Sequence, residues 1–184
     1  RATALRAVTA AIQEGRIEEA QGAVARAAHG PVPVVPFHWE VEFPEVFDRV
    51  RGGFDAFVGN PPFAGKNTIA AANPDRYPDW LQAIHEGAHG NADLVAHFFR
   101  RSFGLLRPGG TLGLIATNTI AQGDSREVGL DQIVGDGGQI IRAGVNVPWP
   151  GAAAVVVDIV QVANGSWQGE RWLDDHMVER ITPL

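Results

Sequence analysis

Residues 54–63, Phe54-Asp55-Ala56-Phe57-Val58-Gly59-Asn60-Pro61-Pro62-Phe63, hold the residue types best suited to chemistry in this chain. Phe54 to Val58 is a short apolar run of strand type. Gly59 frees the backbone at its end, and two prolines then forbid both a continuing strand and a helix. Asn60 and Phe63 are therefore expected on a stiff turn beyond the carboxyl end of a strand, where open α/β sheets bind their ligands. The Asn60 amide oxygen and the Pro61 carbonyl can both accept hydrogen bonds from one –NH2 group. Phe63 can lie flat on the ring that carries this amine. Two such acceptors turn the nitrogen lone pair towards an incoming electrophile, which is catalysis by orientation and placed dipoles. An Asn-Pro turn that merely closes a strand uses the same residues, and a bare tetrapeptide does not separate the two readings.

The elements that must position this turn follow from periodicity. Apolar spacing predicts helices over 2–12 and 17–28, and Pro31, Pro33 and Pro36 predict an extended connector. The alternation of Trp39, Val41 and Phe43 predicts a strand over 37–43. Residues 64–76 show no clear period and read as a mobile loop beside the turn, with Lys66 and Arg76 as candidate phosphate contacts. Helices are expected over 79–86 and 92–106, the second capped by Asn91 or Asp93. Arg107-Pro108-Gly109-Gly110 then turns the chain into a buried strand over 111–116, and Thr117 ends it on the same sheet edge as Asn60. A capping pattern opens a helix over 124–135. Two more strands, 139–147 and 153–162, are joined by Pro148-Trp149-Pro150-Gly151, too short a link for a parallel crossover, so they must be antiparallel.

Composition narrows the function classes. The chain has 184 residues, 45% hydrophobic and 20% charged, enough for one domain with a real core. Zero cysteines exclude disulfides and thiolate metal sites. No apolar run has membrane-spanning length and no signal peptide is visible, so a cytoplasmic protein without membrane association is expected. Net charge is −6, and Lys66 is the single lysine among 15 basic residues, so the count shows no basic face for duplex DNA. His85-Glu86-Gly87-Ala88-His89 matches a zinc-protease pattern, but Gly87 weakens the helix that the pattern requires, and no metal is expected.

Asn60-Pro61-Pro62-Phe63 after a hydrophobic strand resembles the catalytic motif of S-adenosylmethionine-dependent amino-methyltransferases, above all N6-adenine DNA methyltransferases. The downstream series agrees. Ala92 to Phe99 and then Leu105 to Asn118 are similar to the helix, turn and fifth strand of that fold, and Trp149 to Val157 resembles its aromatic-Pro loop and seventh strand. The likeness covers roughly residues 37–175 and is strongest to the large fused restriction–modification and phage-defence methylases.

This resemblance implies an α/β chain carrying strands four to seven of a Rossmann-like methyltransferase sheet, mostly parallel with one antiparallel strand. It implies residues 1–35 as helices and linker, 36–163 as the catalytic part, and 164–184 as the start of a further region, where related enzymes carry target recognition. It implies Asn60, Pro61, Pro62 and Phe63 as catalytic residues, with Phe63 and Trp149 stacking on a base flipped from double-stranded DNA. His38, Trp39 and Thr117 are its candidate cofactor contacts. Methylation of a glutamine amide or an RNA base is an alternative within enzymes, and a non-catalytic DNA-recognition or scaffold piece is an alternative outside them. A glycine-rich loop opening a helix, with an acidic residue closing the next strand, is not found before the catalytic strand. Gly135 to Gly138 precedes a strand and reads as a turn. The N-terminal half of the methyltransferase domain is thus an expected partner, weak cofactor binding is expected of this chain alone, and the edge of the catalytic strand is expected open, covered by residues 1–35, or used in self-association.

Overall fold

The computed structural model describes residues 14–16, 18–19, 21–22, 25, 37–73, 76–149 and 155–183. The helices expected over 2–12 and 17–28, the connector 31–36 and the tip of the Trp149 loop fall wholly or largely outside them. The chain divides into two units, Arg1–Glu45 and Val46–Leu184.

In the first unit the stretch expected to be a strand is instead a helical turn, α1 (Trp39–Glu42). The alternating apolar residues do not line one face of a sheet. Trp39 stacks on Phe43 with centroids 5.8 Å apart and meets the Phe37 edge at 4.9 Å, so three aromatics close on one another within a turn. A second short helix, α2 (Pro44–Phe47), begins at a proline, whose missing N–H costs nothing at a helix start.

The second unit is built on a six-stranded sheet in the order β1-β2-β4-β3-β5-β6. β1 (Phe54–Gly59) runs parallel to β2 (Leu106–Ala116), with Gly59 opposite Leu114. The crossover between them contains α3 (Lys66–Ala72), α4 (Tyr77–Ile84) and α5 (Leu94–Gly104). Helix α3 corrects the expected loop over 64–76. Gly65 and Asn73 stand at its two caps, where they do not break the helix, and Ile69 packs with Leu81 and Leu94 in a small apolar cluster beside Ala64.

After β2 come a 3-10 turn (Asn118–Ala121), then α6 (Gly123–Arg126), a π turn (Glu127–Asp131) and α7 (Gln132–Gly135) laid end to end. β3 (Gly138–Pro148) and β4 (Val156–Asn164) form the expected antiparallel pair, and β4 inserts between β2 and β3. β5 (Arg171–Leu173) and β6 (His176–Val178) lengthen the same sheet, β5 parallel to β3.

Period-2 alternation decides what each face of the sheet does. Leu112, Leu114 and Ala116 of β2 and Val160 and Val162 of β4 point to one face. There α5 (Val95, Ala96, Phe99, Phe103) and residues 120–133 (Ile120, Val128, Leu130, Ile133) bury them in one core. Gly113, Ile115, Ile159 and Gln161 line a shallow concavity on the other face, with Val58, Asn60 and Trp167 at its rim. β1 closes the sheet at one side, with no strand on its outer edge among the described residues, and Val58 there is 91% exposed.

Candidate active site at the strand ends

Asn60, Pro61, Pro62 and Phe63 follow directly from β1. The parallel register ends with Gly59 opposite Leu114, so Asn60 after β1 and Thr117 after β2 both leave the sheet at this end. Asn60 is exposed, Pro61 is buried and anchors the turn, and the Phe63 ring is 40% exposed. The amide and the aromatic ring of the motif thus face solvent while the backbone between them is fixed.

Thr117 is half-buried, shares a 2.6 Å hydrogen bond with the Thr119 hydroxyl, and caps the 3-10 turn. The antiparallel pairing sets Asp158 of β4 opposite Ala116, which brings the β3–β4 hairpin tip to the same end of the sheet. Trp149 leads into that tip, its N–H donating to the Val155 carbonyl at 2.9 Å, and it is 36% exposed. Asn60, Phe63, Thr117 and Trp149 are therefore gathered at one sheet end. His38 and Trp39 lie in the other unit, where His38 Nδ1 is 2.6 Å from Glu40 Oε2.

The approach to Trp149 is shaped by two carboxylates that the sequence did not single out. Asn146 has φ 52° inside an irregular stretch of β3 between Gly144 and Val147. Asp158 Oδ1 accepts from the Asn146 N–H at 2.8 Å, and Asp174 Oδ1 accepts from the Val145 N–H at 2.7 Å. Burial pushes the Asp158 carboxyl up from its usual range, which the Asn146 hydrogen bond partly opposes.

The cations beside the turn are engaged. Lys66 Nζ donates to Asn91 Oδ1 at 2.9 Å, and Arg76 stands 3.4 Å from Asp79. The zinc-protease pattern is not on a continuous helix, because α4 ends at Ile84 and His85 already has extended backbone. His85 Nδ1 instead meets His97 Nδ1 at 2.8 Å, while His89 Nε2 lies 3.9 Å from Asp124 and 3.8 Å from Glu127. The two histidines of the pattern serve different neighbours.

Among the described residues this sheet end offers an exposed amide, an aromatic ring and a half-buried hydroxyl. Among the described residues no glycine-rich turn opens a helix after a strand, and Gly137, at φ 90°, sits in the turn that leads into β3.

A parallel β1–helix–β2 crossover with a reversed strand inserted next to it defines a Rossmann-like α/β protein. Residues 32–133 match the model of the Eco57I restriction-modification methylase family, and the chain belongs to that family. It is 37% identical over 65 residues to the Type II methyltransferase M.XhoI of Xanthomonas vasicola, over 35% of this chain and 11% of that protein. The solved structure of the Type IIL restriction-modification enzyme MmeI in complex with DNA shares the fold. Its TM-score is 0.57 at 20% identity, over 70% of this chain and 19% of that one. A structure described as a class I S-adenosylmethionine-dependent methyltransferase from Listeria monocytogenes aligns over 69% of this chain and 39% of its own, at 13% identity and a TM-score of 0.48. The chain spans a small part of the curated relative and of the MmeI chain.

Proposed function

We propose that this chain carries the amine-activating half of a DNA methyltransferase that transfers a methyl group from S-adenosylmethionine to adenine N6. The observation that carries the reading is the exposed Asn60 amide on a proline-fixed turn at the end of β1, in a chain of a methylase family. The adenine amine is inaccessible while stacked and paired, so the base must leave the duplex. Asn60 Oδ1 and the Pro61 carbonyl then accept from the two amine hydrogens and hold its lone pair outward. Phe63 and Trp149 cover the two faces of the base. β1 and β3 are three strand spacings apart, about 14 Å, a gap that two side chains reaching inward narrow to the width of a stacked ring.

S-adenosylmethionine supplies the electrophilic methyl group. Thr117, next to the turn, is the residue of this unit assigned to the cofactor side, and His38 and Trp39 are the corresponding proposals in the other unit. The edge of β1, which no strand covers among the described residues, supports a further proposal, that another strand of the methyltransferase domain pairs there and brings the remaining cofactor contacts.

The test is methyl transfer by the enzyme that contains this chain, using tritiated S-adenosylmethionine and duplex DNA, with the modified base identified by mass spectrometry. Asn60→Ala is expected to lower kcat at least 100-fold, and Trp149→Ala chiefly to raise KM for DNA. Label on cytosine, on RNA or on protein, or full activity in Asn60→Ala, would overturn the assignment.

A further inference from the structure

Asp93 joins the turn to the core. Its Oδ1 accepts from the Val95 N–H at 3.0 Å, which is an ordinary helix N-cap. The same oxygen accepts from the Ala64 N–H at 3.2 Å, and Ala64 is the residue directly after Phe63. The contact is reciprocal, because the Leu94 N–H donates to the Ala64 carbonyl at 2.9 Å. Ala64 is thereby clipped on both its N–H and its C=O to the first turn of α5. The Asp93 N–H in turn donates to Ser125 Oγ at 2.9 Å, and Ser125 is buried at the start of α6.

One carboxylate therefore ties the chain leaving β1 to α5, and its backbone ties α5 to the helix that follows β2. Pro61 and Pro62 stiffen the turn from within, but a stiff segment anchored at one end still swings. β1 holds the near end, and Asp93 holds the far end.

We propose that Asp93 is a positioning residue of the site, holding Phe63 and, through the prolines, Asn60 at the place where the amine is met. The inference rests on the reading of the Asn60 turn as the methyl-accepting site. It goes beyond the capping role that its sequence position implies, since a cap needs only the Val95 contact. Asparagine at this position keeps an acceptor oxygen for both N–H groups, whereas alanine removes both hydrogen bonds.

The test uses the enzyme that contains this chain, in four forms: wild type, Asp93→Ala, Asp93→Asn, and Val95→Ala as a control. The control thins the core face of the same helix and keeps the Val95 N–H that donates to Asp93. Asp93→Ala is expected to lower kcat for methyl transfer at least tenfold, with KM for DNA within about twofold. Asp93→Asn should recover most of that loss, and Val95→Ala should keep kcat despite an equal or larger drop in unfolding temperature. Unchanged kcat in Asp93→Ala, or kcat losses that simply follow stability across the three variants, would overturn the proposal.

Hydrogen exchange of the segment 58–66 gives a readout independent of activity. Asp93→Ala should raise exchange there while the β2 segment stays protected, and unchanged exchange would count against the inference even if the enzyme's substrate proved to be something other than adenine. Failure of the site assignment shows separately, as full activity in Asn60→Ala.

Discussion

His85 follows the end of α4 and His97 lies on the inner face of α5, with Nδ1 atoms 2.8 Å apart and rings stacked at 5.1 Å. One Nδ1 must donate and the other accept, so the contact requires at least one neutral ring. Burial lowers both: His85 to about 3, helped by His97, Arg100 and Arg101, and His97 to about 4, with Arg100 lowering it and Asp93 opposing. Both folded values lie below the ordinary 6.5. As pH falls from 6.5, the unfolded chain takes up protons that the folded chain refuses, so stability is full above 6.5 and drops through the window down to about 3. The slope approaches about 1.4 kcal/mol per pH unit for each proton taken up. Urea midpoints measured between pH 7.5 and 4 should fall below pH 6.5, and His97→Gln should flatten that fall. A midpoint independent of pH across this range would show that the pair is not what limits acid stability.

At the level of elements, β1 and β2 start against each other at Gly53. Its φ is 126°, and a Cβ there would stand 2.5 Å from the Arg107 amide nitrogen. Arg107 also binds Asp55 at 2.5 Å, so the same residue packs both strand starts. Gly53→Ala combines backbone strain with a clash that no rotamer relieves, and should cost at least about 2 kcal/mol in chemical unfolding. A loss under half of that would mean that the strand starts yield easily.

The elements also show what could be read beforehand. The largely apolar stretches of β1, of β2 from Thr111 and of β4, and the broad apolar face of α5, are legible because buried strands and long helices carry strong patterns. Arg107 to Gly110, expected as a turn, belong instead to β2. Residues 37–43 are not legible in this way, since three aromatics spaced by two mimic a strand while packing on one another. Residues 66–72 are not either, for alanines with a glycine and an asparagine at the ends carry little period. The Asn60 turn was legible from its prolines. The second bond of Asp93, to a residue 29 positions away, and the His85–His97 contact across 12 positions have no local signature.

Within the second unit, the described residues cover one face of the sheet and leave the other open. The core lies between the sheet and α5 with residues 120–133, while Ile115, Ile159 and Gln161 look outward across the shallow concavity. Net charge is −6, with 15 basic against 21 acidic residues, so the chain as a whole has no excess of cations for a polyanion. Among the described residues no helix is long and apolar enough to cross a membrane.

The position of β1 also bears on the order in which the molecule comes together. β3 and β4 are neighbours in sequence and close as a hairpin, whereas β1 reaches β2 only after three helices have been laid down between them. Contacts distant in sequence are made late, because the loop between them must be closed first. Pulse-labelled amides on refolding should therefore gain protection in β3 and β4 before β1, and β1 protected first would reverse this order. The Asn60 turn hangs from a strand that joins after the β3–β4 hairpin, so a site that works as proposed is completed only once that hairpin and β2 are in place.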